Sequence, residues 1–319
     1  MTRILISDRT HPILEERLCQ AGYDVSVEPD HDYRSLLHAA QGCDGLVVRS
    51  KVIIDRPFID ACPSLRCIGR VGAGMETIDV DYAEQKGIRC LNSPEGNRDA
   101  VGEHTVGLLL ALLNNIARAD AEVRRGLWHR EENRGHELGN LTMGIIGFGN
   151  MGQAFARRLS GFGCRVVYYD IKDPKDLKGL KDLKDIKDIE ALPLEELQRC
   201  ADVVSFHVPL NAETRHYLSA DFLARMAKPC FVVNTSRGAV VDTEALADAL
   251  DSGRVRGAAL DVLEYENMAA DTLGDVPEAL RRLMQSPHTV LTPHVAGWTV
   301  ESKYKLAAVL ADKIIETLR

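Results

Sequence analysis

Three side chains able to handle protons and anions follow short apolar runs in the second half of the chain. Arg237 comes after Phe231–Val233, Glu266 after Ala258–Leu260, and His294 after Thr289–Leu291. Runs of this type read as strands, and α/β sheets bind ligands where their strands end. Arginine offers a planar fork for a carboxylate and a cation beside a developing oxyanion. Histidine titrates in the neutral range and can move a proton, and a carboxylate against the imidazole favours its charged form. Singly, an Arg after a strand is an ion-pair partner and a His after Pro a turn residue. Gathered on one rim, the three compose an acid–base site.

A glycine-rich turn near the middle says what such a site would work with. Gly147-Phe148-Gly149-Asn150-Met151-Gly152 follows the apolar run Met143–Ile146 and opens a helical pattern, Gln153–Leu159. A further run, Arg165–Tyr169, then ends on Asp170, eighteen residues after Gly152. This is the full context of a dinucleotide-binding fingerprint. The first glycine permits the tight turn, the second lets backbone approach a pyrophosphate, and the third packs helix against strand. Free N–H groups at the helix start face the phosphates, and Asp170 stands where an acid accepts from ribose hydroxyls.

About 140 residues precede this turn and must form something else, and 319 residues suit two domains. Hydrophobic residues at 45% and charged residues at 27% are ordinary globular values. A net charge of −8 with no basic stripe argues against nucleic acid. The longest apolar run, Val106–Leu113, is too short to span a bilayer, and Met1 leads straight into a strand without a signal peptide. Eight scattered cysteines without a CxxC pair read as reduced thiols, neither metal site nor disulfide framework, in a cytoplasmic protein.

Short β-rich runs (Ile4–Ile6, Asp24–Val27, Leu46–Val48, Cys67–Ile68, Arg89–Leu91) alternate with helical stretches (Pro12–Ala21, Tyr33–Ala40, Arg56–Cys62, Val80–Lys86). Such alternation predicts a doubly wound parallel sheet. It stops at the turn-rich Asn92–Asn97, after which one long helix is expected from Asp99 to Arg125, with Val101, Thr105, Leu108, Leu109, Leu112 and Ile116 on its apolar face. Alternation then resumes at Thr142, and a last helix, Val300–Leu318, could cross back to the first domain. Between Lys172 and Glu190, lysine and aspartate alternate around leucines and isoleucines spaced by three, which drift about 60° per step around a helix and never share a face. That segment reads as a solvated loop.

Several stretches are similar to the NAD-dependent D-isomer-specific 2-hydroxyacid dehydrogenases: RVGAGMETID (70–79), VGEHTVGLLLAL (101–112), GHELGNLTMGIIGFGNMG (135–152), HVPLNAETRH (207–216), NTSRGAVVDTEAL (234–246), GAALDVLEYE (257–266) and TPHVAG (292–297). The resemblance covers nearly the whole chain. It implies an α/β fold in which a Rossmann NAD domain (99–290) is inserted into a flavodoxin-like substrate domain (1–98 plus 291–319), and a homodimer built through the helix after residue 99. It also implies roles. Arg237 grips substrate carboxylate and keto oxygen, His294 exchanges the proton, and Glu266 bonds the imidazole. Val71 and Gly72 offer backbone N–H groups to the substrate. Asn150 and Met151 hold the pyrophosphate, and Asp261 orients the nicotinamide. His207, Val208, Thr235, Ser236 and Gly297 line the cofactor groove with Gly147, Gly149, Gly152 and Asp170.

Glu266 speaks against formate dehydrogenases, which resemble this family with glutamine there. Asp170 disfavours a 2′-phosphate and so favours NAD over NADP, though Lys172 blunts that preference. Arg49-Ser50-Lys51 looks like the element with which D-3-phosphoglycerate dehydrogenases contact substrate, and Arg49 and Lys51 could bind a phosphate, unless Arg49 merely pairs at the rim. Phosphoglycerate is the first expectation, in a short form that ends at Arg319 without a regulatory domain. Glyoxylate/hydroxypyruvate reductase and D-lactate dehydrogenase remain open. Corepressors of the C-terminal-binding-protein type share the site, but the compact length favours metabolism. Departures from the family pattern are Glu76-Thr77 beside the substrate loop, Gly102 in a helix start, and Trp298 where a small residue is frequent. Trp298 reads as dimer packing, or else as a hydrophobic wall favouring a bulkier 2-oxo acid.

Overall fold

The computed structural model describes residues 1–177, 189–267, 272–274 and 276–319. These divide into two compact units, one of residues 1–98 with 298–319, the other of 99–267 with 272–297.

In the first unit β1 (Arg3–Ile6), α1 (Ile13–Gln20), β2 (Asp24–Val27), α2 (Tyr33–Ala40), β3 (Gly45–Val48), α3 (Arg56–Ala61), β4 (Cys67–Arg70), α4 (Val80–Gln85) and β5 (Arg89–Asn92) alternate strictly. Aspartates start three of the helices: Asp32, Asp55 and Asp79 accept from the N–H groups of Ser35, Phe58 and Tyr82. The strands form one parallel sheet in the order β2-β1-β3-β4-β5, the flavodoxin-like arrangement. The two-residue period of the strands splits their side chains between two cores. Leu5, Leu46 and Ile68 pack with Leu36, Phe58 and Ala83 of α2–α4. Ile4, Ile6, Val47 and Cys67 face the other way, onto Leu14 and Leu18 of α1 and onto Ala307, Leu310, Ala311 and Ile314. Those last four belong to the C-terminal helix Val300–Leu318, which thus completes the first unit.

The second unit begins with α5 (Arg98–Leu113) and α6 (Ile116–Arg124). The single helix expected over 99–125 is two, bent by 60°. The break lies at Asn115, whose φ of 54° is left-handed, a conformation asparagine tolerates better than most residues. Val101, Thr105, Leu108, Leu109 and Leu112 are buried as expected, but Ile116 lies beyond the bend and is exposed. Among the described residues no single helix is long and apolar enough to cross a membrane.

Then follow β6 (Thr142–Ile146), α7 (Asn150–Leu159), β7 (Arg165–Tyr169), β8 (Ile189–Ala191), α8 (Leu194–Cys200), β9 (Val203–Phe206), α9 (Ala220–Arg225), β10 (Cys230–Asn234), α10 (Thr243–Asp251), β11 (Val255–Leu260), a short antiparallel pair β12 (Glu266–Asn267) and β13 (Thr272–Leu273), α11 (Glu278–Gln285) and β14 (Thr289–Leu291). The parallel sheet runs β14-β11-β10-β9-β6-β7-β8, a doubly wound order that reverses between β6 and β9. Part of the expected lysine/aspartate loop proves ordered: Ile189–Ala191 is an edge strand on β7, while 178–188 lie outside the described residues. The return to the first unit comes at 298 and not at 291. Leu291 still pairs with Leu260, and Val295 and Ala296 still donate to Asp261.

Gly102 shows how packing overrides local propensity. A Cβ there would stand 2.8 Å from Ala154 O and 2.9 Å from Arg158 Cδ, so α5 and α7 touch backbone to backbone. Helix propensity predicts that Gly102→Ala stabilises by up to about 1 kcal/mol. The contact predicts the reverse, a net loss of about 1–2 kcal/mol from overpacking. Chemical denaturation of the variant decides, and a raised midpoint would contradict the close approach.

Candidate active site

The site of the second unit rests on strands that end in register. Leu291 lies opposite Leu260, Leu260 opposite Asn234, Asn234 opposite Phe206, Phe206 opposite Ile146, and Ile146 opposite Tyr169. The residues that follow, Thr292, Asp261, Thr235, His207, Gly147 and Asp170, therefore share one rim.

At the reversal of strand order the glycine turn is tightly enclosed. Gly147 has φ +86°, and a Cβ would meet His207 O at 2.7 Å and Val208 Cγ1 at 2.8 Å. At Gly152 a Cβ would sit 2.2 Å from Gly147 O, so α7 starts directly against the turn. Gly149 differs: nothing lies within 4 Å of its Cβ position, which opens the space above the first N–H groups of α7, those of Asn150 and Met151. Phe148 anchors the turn by stacking on Tyr168 at 3.8 Å. Asp170 accepts from Phe148 N–H at 2.6 Å and from Lys172 N–H at 2.9 Å. A carboxylate has about four lone-pair sites, so acceptor capacity remains. Beside it lies an open hollow of about 360 Å³, lined among others by Tyr169, Asp170, Ile171, Lys172 and Pro193.

His207 points inward. Its Nε2 is 2.8 Å from Ser205 Oγ, its ring lies against Phe155, and its Nδ1 is buried without a partner. Burial pushes this imidazole down to about 3. Only its backbone carbonyl borders the glycine turn.

After β10 the fully buried Asn234 staples the next turn. Its Oδ1 accepts from Ser236 N–H and Oγ–H, and its Nδ2 donates to Arg237 O at 2.9 Å. Ser236 and Thr235 are themselves buried, and Thr235 Oγ lies 3.1 Å from Thr105 Oγ. Arg237 leaves this turn half-buried, with Nη1 donating to Ser236 O. Gly238 fits because a Cβ would fall 2.0 Å from Leu263 C, which presses the Arg237 turn against the loop leading to Glu266.

Asp261 was expected to orient the nicotinamide, but the structure engages its carboxylate within the protein. With 1% exposure it accepts from Thr292 Oγ–H (2.6 Å), Val295 N–H (2.9 Å) and Ala296 N–H (2.9 Å), with His104 Nε2 at 3.4 Å. Burial alone would raise its pKa. The hydrogen bonds from His104, Thr292, Ala296 and Val295 outweigh burial and hold it below the usual carboxylate range. This network shapes the turn 292–297, where His294 has φ +54° and donates its N–H to Asp261 O. Gly297 closes that turn. His294 Nδ1 lies 3.1 and 3.2 Å from the two Glu266 oxygens, both side chains partly buried. Expected acid and base partner thus touch, although 28 residues separate them.

In the first unit Arg49 N–H donates to the buried Asp8 at 2.8 Å, and Ser50 follows half-exposed. The Arg49 guanidinium lies 5.3 Å from the Trp298 ring centre. Trp298 is 67% exposed and serves as this stacking partner. Val71 was expected to donate to substrate, but its N–H is taken by Val48 O at 3.0 Å. Of that pair Gly72 remains, at φ 150°, where a Cβ would collide with Arg70 Nη1.

Residues 106–296 match the family model for the NAD-binding domain of D-isomer specific 2-hydroxyacid dehydrogenases. A hydroxypyruvate reductase of Thermotoga maritima is 37% identical over 92% of each chain. The chain belongs to this family. A D-3-phosphoglycerate dehydrogenase of Methanocaldococcus jannaschii is 35% identical over all of this chain, which spans only 58% of that relative's length. Among solved structures, a D-lactate dehydrogenase of Aquifex aeolicus complexed with NAD and lactic acid superposes with a TM-score of 0.81, at 25% identity, over 99% of this chain and 94% of the other.

NAD is the cofactor of this family domain, and the observed residues fit it: an open Gly149, helix-start donors, and Asp170 beside the hollow. Asn234, Thr292, His104 and Asp8 were not singled out from sequence. The partners of Asp8, His104 and Thr292 lie far along the chain, as Thr292 does from His104 at 188 residues, and no local pattern marks them. Asn234 bonds residues two and three positions on, a local turn that the sequence could have signalled.

His207 generates a pH prediction. The unfolded chain protonates this ring near 6.5, the folded one only near 3. The unfolded state therefore binds more protons between these values, and stability falls as pH drops below 6.5, by up to about 1.4 kcal/mol per pH unit. His207→Gln should flatten this acid limb in denaturation midpoints measured from pH 7 to 5, and parallel limbs for both proteins would refute it.

Proposed function

We propose that the protein is an NAD-dependent oxidoreductase interconverting a small D-2-hydroxy acid and its 2-oxo acid. The contact between His294 and Glu266, on the same sheet rim as the dinucleotide turn, carries this reading. Bound NAD supplies the hydride-accepting ring, and NADH the hydride. Glu266 fixes the imidazole through Nδ1, which leaves Nε2 to give a proton to the carbonyl oxygen in reduction and to take it in oxidation. Arg237, held by the Asn234 staple, pairs with the substrate carboxylate and polarises the keto oxygen. The Gly72 N–H adds a donor. Asn150 and Met151 bind pyrophosphate through their backbone, and Asp170 accepts from the adenosine ribose and repels a 2′-phosphate.

For the substrate we favour 3-phosphoglycerate and phosphohydroxypyruvate. Arg49, fixed at its amide by Asp8 and at its guanidinium by Trp298, presents a preorganised fork for a phosphate. Hydroxypyruvate is the second reading, favoured by the match to a reductase of nearly equal length. The homodimer also stays a proposal, supported by α6: none of its residues is buried, and Ile116 and Val123 are exposed with Leu127 and Trp128 just beyond it. A second copy of the chain would cover that surface.

Oxidation of NADH and NADPH, followed against phosphohydroxypyruvate, hydroxypyruvate, glyoxylate and pyruvate, should show turnover with NADH ahead. His294→Gln should lower kcat by roughly 10²–10⁴-fold with NADH affinity nearly unchanged. Activity close to that of the unaltered protein in this variant would remove His294 from the chemistry. Sedimentation should find a dimer that Val123→Glu converts to monomer, and a monomeric parent protein would overturn the assembly.

A further inference from the structure

His104 stands six residues into α5 and belongs to none of the roles assigned above. Its Nε2 is 3.1 Å from Thr292 Oγ and 3.4 Å from Asp261 Oδ1. Thr292 gives its only hydroxyl proton to Asp261 at 2.6 Å, so toward His104 it must accept. Nε2 is therefore the protonated ring nitrogen, shared between hydroxyl and carboxylate. The resulting chain runs from the helix through Thr292 to Asp261, and from Asp261 into the backbone of the His294 turn, at Val295 N–H, Ala296 N–H and, through its own carbonyl, His294 N–H.

That turn needs holding. His294 is one of four non-glycine residues with positive φ among the described residues, and such strain persists only where the surroundings over-determine it. An unrestrained turn would relax toward negative φ and swing the imidazole off Glu266. We propose that His104 is a positioning residue that, through Thr292 and Asp261, locks the His294 turn in its left-handed conformation. It touches neither substrate nor cofactor in this role. The inference rests on the reading of His294 as the proton-transfer group, and it adds the device that sets the angle of that ring. The device has a plain requirement, a donor at the position of Nε2. Glutamine supplies one at nearly the same reach and leucine does not.

The test compares the full-length protein with His104→Leu, His104→Gln and Thr292→Val. Hydrogen exchange of the 292–297 segment reads the lock without reference to activity. Steady-state kinetics with NADH and the best 2-oxo acid, together with NADH titration by fluorescence, read its consequence. In His104→Leu and Thr292→Val, exchange should rise about ten-fold or more and kcat should fall roughly 10- to 100-fold, as expected for a misplaced catalytic group. NADH affinity should hold, and His104→Gln should restore both exchange and kcat. Unchanged exchange in folded His104→Leu and Thr292→Val would overturn the proposal, as would a His104→Gln variant as impaired as the leucine one. If the unaltered protein turned over no 2-oxo acid, the functional reading would fail while the exchange measurement still decided the lock.

Discussion

Asp261 carries a charge at a position that water barely reaches, and much of the second unit's rim is arranged around that fact. A carboxylate at 1% exposure is tolerable only with donors on its oxygens, and here they come from three places. One is a threonine hydroxyl, one a pair of consecutive amides, and one a histidine on a distant helix. Satisfying the charge therefore defines the path of the chain from Thr292 to Gly297. The strained His294 backbone and its contact with Glu266 follow from that path.

A second constraint is the closeness of backbones. Gly147 lies under His207, Gly152 over Gly147, Gly238 against Leu263 and Gly102 against Ala154, each where a side-chain carbon would overlap main chain. At the first three the gain is local to the site, since the turn bearing the helix-start donors and the turn bearing Arg237 are pressed into place. Gly149 is the informative exception. Its Cβ position faces open space, so its lack of a side chain is not required by the protein's own packing.

In the first unit the same economy appears around Arg49. Asp8, at the end of β1, takes the Arg49 amide, and Trp298 takes the guanidinium face. An arginine held at both ends loses less freedom on meeting an anion than one loose on a loop.

Local order along the chain determined a large share of this. Alternating apolar runs and helical stretches marked the strands of both sheets except the edge strand β8, mostly to within a residue or two, because a buried parallel strand must be continuously apolar and must end in turn residues. β11 starts three residues before the expected Ala258. The glycine turn with Asp170, and Arg237, Glu266 and His294 at strand ends, were legible for the same reason. Tertiary structure alone decided the rest. Asn115 broke a helix that periodicity extended through it, since left-handed backbone leaves the apolar pattern intact. Val71 lost its N–H to Val48, Asp261 turned inward to the His294 turn, and Trp298 settled on Arg49, each through a partner far off in sequence. A hydrogen bond depends on where two groups arrive in space, and residue types and spacing cannot announce that when the partners lie on different elements.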